Sequence, residues 1–360
     1  MRAAILRETG DSKLEVRDDV VARGPGPGEV RVKVRATGVC HSDLSAMTGV
    51  LPQPAPAVLG HEGAGDVIAV GDGVTEVAVG DRVILCWVPP CGGCRACRNG
   101  QPNLCIDIFF AASATPHFEV DGTPVYGYAG LGTFADELIV PQQCAVPFPE
   151  DVPYELAALI GCGVTTGTGA VFNTAQLEPG ASVAVIGCGG VGISVIQGAR
   201  IAGAAEIVAV DPVARKREWA GRFGATHAIA PDEIATAKQE ITGNDGFDYV
   251  FEVVGRSATV RQAYDVTRRG GTVVVVGAGA TDDAVSFNMF ELFFDSKRIL
   301  PTIYGGGDVR RDYERLIRLW RSGRLDLENM VTAELTLAEV NEALDAVRAG
   351  EVIRSVLTFG

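Results

Sequence analysis

The sequence predicts an α/β protein of two domains: a β-rich first third, followed by a doubly wound parallel sheet. Three observations carry this. At 360 residues the chain is too long for one hydrophobic core. The first third alternates polar and apolar residues between Pro- and Gly-rich turns. From Glu178 onward, short apolar runs alternate with helical segments, the βαβα rhythm of a parallel sheet covered on both faces.

In chain order, Val30, Val32 and Val34 alternate with Arg31, Lys33 and Arg35, the period of a half-buried strand. Gly24 to Gly28 and then Pro52, Pro54 and Pro56 break the chain into turns. Ser182 to Ile186, Ile207 to Val210, Tyr249 to Val254 and Thr272 to Val276 read as buried parallel strands. Arg310 to Arg321 and Leu337 to Val347 read as amphipathic helices, and Val352 to Phe359 as a last strand. These elements place one domain at 1–163, a nucleotide-type domain at 164–303, and a tail, 304–360, that packs back on the first domain.

Apolar content of 47% with 21% charged residues suits a globular protein. A formal charge of −14 argues against nucleic-acid binding, which needs clustered Lys and Arg. Met1 to Gly10 lack the apolar stretch of a secretory signal, and the run Val273 to Ala280 is far short of a membrane span. A cytoplasmic protein is expected, where cysteine clusters mean metal or redox chemistry more often than disulfides.

Six of nine cysteines fall into two groups. Cys91, Cys94, Cys97 and Cys105 can close a tetrahedral site on their own, which favours structural zinc. A ferredoxin-type cluster is the alternative, but its fourth cysteine follows sooner and precedes a proline, whereas Ile106 follows Cys105. Cys40, His61 and Cys162 are dispersed, each among small residues. Two thiolates and one imidazole leave a fourth zinc position open for chemistry. Cys86, Cys144 and Cys188 read as small hydrophobic residues, and His117 and His227 as solvated side chains.

Strand Ser182 to Ile186 runs into Gly187-Cys188-Gly189-Gly190-Val191-Gly192, a helical stretch follows, and Asp211 ends the next strand. That is the full context of a dinucleotide site. Gly187 permits the tight turn, Gly189 lets a pyrophosphate approach, and Gly192 allows close helix–strand packing. Asp211 would take the adenosine ribose hydroxyls and repel a 2′-phosphate, favouring NAD over NADP.

With these motifs together, including Cys40-His41-Ser42-Asp43, Gly60-His61-Glu62 and Gly161 to Gly167, the sequence resembles the zinc-dependent medium-chain alcohol dehydrogenases from end to end. The resemblance implies a GroES-like β-barrel catalytic domain and a Rossmann domain, with the active site in the cleft between them. It implies two zinc ions and NAD. Cys40, His61 and Cys162 would ligate the catalytic zinc, with Glu62 adjacent or exchanging as a ligand. His41 and Arg354 would contact cofactor phosphate, Lys216 the ribose, and Thr166 and Val191 the nicotinamide; Gly190 completes the phosphate loop. Ser42 falls beside the reacting oxygen. Leu51, Trp87 and Tyr128 fall at substrate-pocket positions, with Phe109 and Phe110 nearby.

The implied reaction is hydride transfer between an alcohol and the nicotinamide, with the proton leaving through Ser42 and the ribose. Many relatives end that relay at a histidine where this chain has Ser45, so water is expected to complete it. Val50 to Pro52 and Ile106 to Ala112 are apolar apart from Asp107, which argues against an anionic glutathione adduct. An aromatic, terpenoid or medium-chain primary alcohol is expected, with thiol-dependent formaldehyde oxidation of the mycothiol type as the alternative. An iron–sulfur electron carrier is the non-enzymatic alternative. The loop between Cys105 and Gly132 is longer than in compact microbial members of the family, which the resemblance associates with altered assembly; a homodimer is expected, with a homotetramer as the alternative.

Overall fold

The computed structural model describes Met1–Gly360. The residues form two compact units. The first comprises Met1–Cys162, Asp308–Arg318 and Leu327–Gly360, and the second Gly163–Gly307 and Leu319–Asp326. The tail is therefore divided, whereas the sequence led us to expect it wholly on the first domain. One cause is the Gln197 amide, which donates to the Asp326 carbonyl at 3.0 Å and accepts from the Asp326 N–H at 2.8 Å. Together these bonds hold the segment to the second unit.

In the first unit the long strand Glu29–Val39 is central. Val30, Val32 and Val34 are fully buried and the intervening basic residues half-exposed, as the alternation predicts. Glu62–Val70 pairs antiparallel along one edge. Along the other lie Glu137–Pro141 and, returning from the tail, Arg354–Thr358. The seven-stranded sheet is completed by Arg82–Leu85, Ala145–Pro147 and Val331–Thr336. A second, six-stranded sheet is built around Ala3–Leu6. Ile5, Leu6, Leu59, Leu131 and Phe134 fill the core against it. The tail helices run Val309–Arg321 and Val340–Ala349.

The second unit holds a six-stranded sheet in which every pairing is parallel. Its order is His227–Ile229, Glu206–Val210, Ser182–Ile186, Phe247–Glu252, Thr267–Val275, Arg298–Pro301. Numbered along the chain this is 3-2-1-4-5-6, with the order reversing at Ser182–Ile186. Ligands of such sheets bind at that switch point.

Three readings of minor residues meet the structure here. Cys86, Cys144 and Cys188 are buried, Cys144 within the main hydrophobic core. His227 is about half exposed, at 46%. His117 is not solvated: it is 1% exposed, with Nε2 3.5 Å from Glu29 Oε1. Its strand neighbour Phe118 is pulled inward, and the Arg23 N–H bonds the His117 carbonyl. Burial, and then the Arg23 charge, pushes the imidazole pKa down to about 4 against the pull of Glu29. The helical stretch Tyr154–Ala175 is long and apolar enough to cross a membrane, but it is mostly buried in the structure.

Candidate functional site

Strand Glu29–Val39 ends at Cys40, which is the N-cap of α1 (His41–Thr48). One helical turn therefore carries Cys40, His41, Ser42 and Asp43. Asp43 closes a capping box by accepting the Cys40 N–H at 2.9 Å. Its other oxygen lies 3.0 Å from His61 Nδ1. His61 begins the next structural layer, immediately before strand Glu62–Val70. With Nδ1 engaged by a carboxylate, Nε2 is the nitrogen left for a metal. Nothing in the sequence near Asp43 signals this role, because its bond to the ring depends on a residue 18 positions along the chain.

Cys162 comes from a π-helical turn, Ile160–Val164. Such turns recur at functional sites because they redirect one side chain without ending the helix. The result is a buried set, Cys40, His61, Glu62 and Cys162, whose ligand atoms all lie within 4.8 Å of one another. Hydrogen bonding from Cys162, and then the charges of Arg354 and His61, hold the Cys40 thiol well below its usual pKa despite burial. Glu62 has both carboxylate oxygens buried without a hydrogen-bond partner. Burial raises its pKa to about 8, opposed by Arg354. Arg354, read as a phosphate contact, is 3% exposed and places Nη1 3.3 Å from Glu62 Oε1. Soft thiolates, one oriented imidazole and a buried carboxylate held only by its ion pair with Arg354 fit a zinc ion with one exchangeable position.

Around this set, the Ser42 hydroxyl lies 3.7 Å from Cys40 Sγ. Tyr128 packs its ring edge-on to His61, with centroids 5.3 Å apart. Trp87 is half-buried and T-shaped to Phe109, which in turn meets Phe110. Leu51 is half-buried and donates its N–H to the Ser45 carbonyl. His41 is exposed.

The other cysteine group is equally compact, with the four sulfurs within 4.8 Å of one another. Backbone N–H groups already point at the sulfurs: Cys91 at Cys105 (3.3 Å), Cys94 at Cys91 (3.3 Å) and Cys97 at Cys94 (3.4 Å). Such donors stabilise thiolate charge, as a structural zinc site needs.

In the second unit, Gly187 takes φ +98° and a Cβ on Gly192 would lie 1.9 Å from the Gly187 carbonyl oxygen. Nothing lies within 4 Å of a Cβ on Gly189, so the loop leaves space where a pyrophosphate would approach. Asp211 is 4% exposed and accepts the N–H groups of Cys188 and Val213, both at 2.9 Å. It thus ties the glycine loop to the following strand end. Arg217, unremarked in the sequence, donates to the Asp211 carbonyl, while Lys216 is half-buried beside it. Helix Thr165–Gly169 carries Thr166 against the same loop: a Cβ on Gly167 would lie 2.5 Å from the Val191 carbonyl. Thr166, Gly190 and Val191 are half-buried.

Comparison with known proteins agrees with this geometry. Residues 26–150 match the alcohol dehydrogenase GroES-like domain, and residues 190–322 match the zinc-binding dehydrogenase family. Alcohol dehydrogenase class-3 of Cereibacter sphaeroides is 38% identical, covering 99% of both chains. The chain belongs to the zinc-containing medium-chain alcohol dehydrogenase family. This dehydrogenase is also 38% identical to S-(hydroxymethyl)glutathione dehydrogenase of Paracoccus denitrificans, again over 99% of both chains. Benzyl alcohol dehydrogenase from Acinetobacter calcoaceticus superposes with a TM-score of 0.91 at 32% identity, covering 100% of this chain and 99% of that one. As a family member it is an oxidoreductase acting on CH–OH groups, with a nicotinamide cofactor and two candidate zinc sites.

Proposed function

We propose that this dehydrogenase interconverts an apolar primary alcohol, aromatic, terpenoid or medium-chain, and its aldehyde, with NAD as hydride carrier. The supporting observation is the aromatic run Trp87–Phe109–Phe110 on the unit whose metal set is flanked by Tyr128. Zinc, when bound, supplies Lewis acidity that lowers the pKa of an alcohol oxygen. Cys40, His61 and Cys162 would hold it, Asp43 fixes the imidazole, and Ser42 accepts and passes on the alcohol proton. Ser45 has no base to offer at neutral pH, so water finishes the route. Asp211, with its buried carboxylate, favours NAD.

A second reading, oxidation of a thiol adduct of formaldehyde, is favoured by the names of the curated relatives at 37% to 38% identity. The test is steady-state kinetics with NAD and benzyl alcohol, geraniol, hexanol and ethanol, set beside formaldehyde with glutathione or a neutral thiol. Burying a ring's worth of apolar surface supports a kcat/KM for benzyl alcohol roughly a hundredfold above ethanol. Turnover confined to formaldehyde plus thiol would replace the first reading with the second. For assembly we infer a cytoplasmic homodimer. Support comes from the exposed Met289, Phe290 and Phe293 beside the open sheet edge Arg298–Pro301.

A further inference from the structure

We propose that Tyr128 is a positioning residue for Ser42, acting through the Ser42 backbone; this rests on the reading of Ser42 as the proton-passing hydroxyl. Tyr128 is 6% exposed, and its phenol donates to the Ser42 carbonyl oxygen at 3.0 Å. The same ring stands edge-on to His61, at 85° between planes. One side chain therefore touches the ligand imidazole with its ring and the backbone of the proton-passing serine with its hydroxyl. A phenylalanine would fill nearly the same volume. A buried hydroxyl costs stability unless it is bonded, and this one is spent on a carbonyl in the first turn of α1 rather than on water or substrate.

The helix already offers that carbonyl one N–H from the next turn. The phenol adds a second donor from outside α1. This pins the turn relative to His61, on which the same ring packs, and so fixes where the Ser42 hydroxyl stands beside the ligand set.

The experiment compares Tyr128→Phe, Ser42→Ala and the double variant in the zinc-loaded enzyme. It follows kcat, KM, metal content and hydrogen exchange of the peptide covering residues 41–48. Tyr128→Phe should lower kcat roughly tenfold, the scale of one hydrogen bond, with KM for alcohol within about twofold. Exchange over α1 should quicken while zinc content stays at the wild-type level. In the Ser42→Ala background the same substitution should change kcat no further, because the group it positions is gone. If Ser42→Ala slows turnover heavily but Tyr128→Phe matches wild type in kcat and exchange, the positioning role is wrong and the Ser42 reading stands. If Tyr128→Phe slows turnover equally with and without Ser42, Tyr128 acts on its own and the proposal falls. Loss of zinc in Tyr128→Phe would make its role structural, also overturning it. Full turnover in Ser42→Ala removes the Ser42 reading and the proposal with it.

Discussion

Replacing Asp43 by asparagine changes one charge and almost no volume, at a fully buried side chain. Asp43 accepts two hydrogen bonds, from the His61 ring at 3.0 Å and the Cys40 N–H at 2.9 Å. An amide has one accepting and one donating end. With its oxygen toward His61, its NH2 meets the Cys40 N–H, donor against donor. Reversed, it forces His61 Nδ1 to accept, which moves the imidazole proton to Nε2, the nitrogen left for the metal. Either orientation loses one charge-assisted bond, worth about 1.5–3 kcal/mol. At about 1.4 kcal/mol per decade, that is roughly 10- to 100-fold in zinc affinity, the range typical of carboxylates behind histidine ligands. Titration of the loaded protein with a chromophoric chelator at pH 7 measures it directly. Asp43→Asn should release one of two zincs at a correspondingly lower chelator concentration and the other at the wild-type concentration. Release of both zincs at wild-type affinity would refute the argument that Asp43 sets the tautomer.

Cys105→Ser should abolish one zinc and leave the other, with hydrogen exchange rising across residues 91–113; metal counting and exchange check both. Asp211→Gly should raise the NADP-to-NAD ratio of kcat/KM by about two orders of magnitude. It should also lower Tm by several degrees through loss of the bonds to Cys188 and Val213, and an unchanged ratio would overturn the ribose assignment. His117 supplies a pH dependence of stability. Its folded pKa, about 4, lies below the ordinary value of 6.5. The unfolded chain therefore binds the proton first, and the contribution is complete above 6.5 and lost as pH falls from there toward 4. At most this is roughly 3 kcal/mol, with a slope near 1.4 kcal/mol per pH unit around pH 5. Denaturant unfolding of His117→Gln across this window should show a slope smaller by about that amount.

What could be read from the sequence had local causes. The alternation around Val30 to Arg35 and the glycine loop at Gly187 to Gly192 each express a constraint within a few residues, and both were legible. The two edge strands of the parallel sheet were not. His227–Ile229 is short and carries a histidine, and Arg298–Pro301 ends in a proline; edge strands have one free side and need no apolar run. His117 misled because burial of an imidazole depends on Glu29 and Arg23, distant in sequence. Arg354 was placed by resemblance at a phosphate; that it also pairs with Glu62 is a contact that arises only when the last strand lies beside Glu29–Val39. Asp43 stood in the Cys40-His41-Ser42-Asp43 motif with nothing local to mark it as the partner of His61. Apart from the edge strands, what the sequence hid are polar contacts between remote segments, for which hydrophobic pattern carries no signal.

The π-helical turn at Ile160–Val164 has a consequence for how this chain can change in length. A π turn is an α-helix with one residue too many, and the surplus is what points Cys162 where it points. A one-residue deletion there lets the helix relax to its ordinary repeat and removes the bulge that carries Cys162. The thiol then loses its ligand set even though no ligand has been substituted. Composition in this segment can drift, and the spacing to Cys162 cannot.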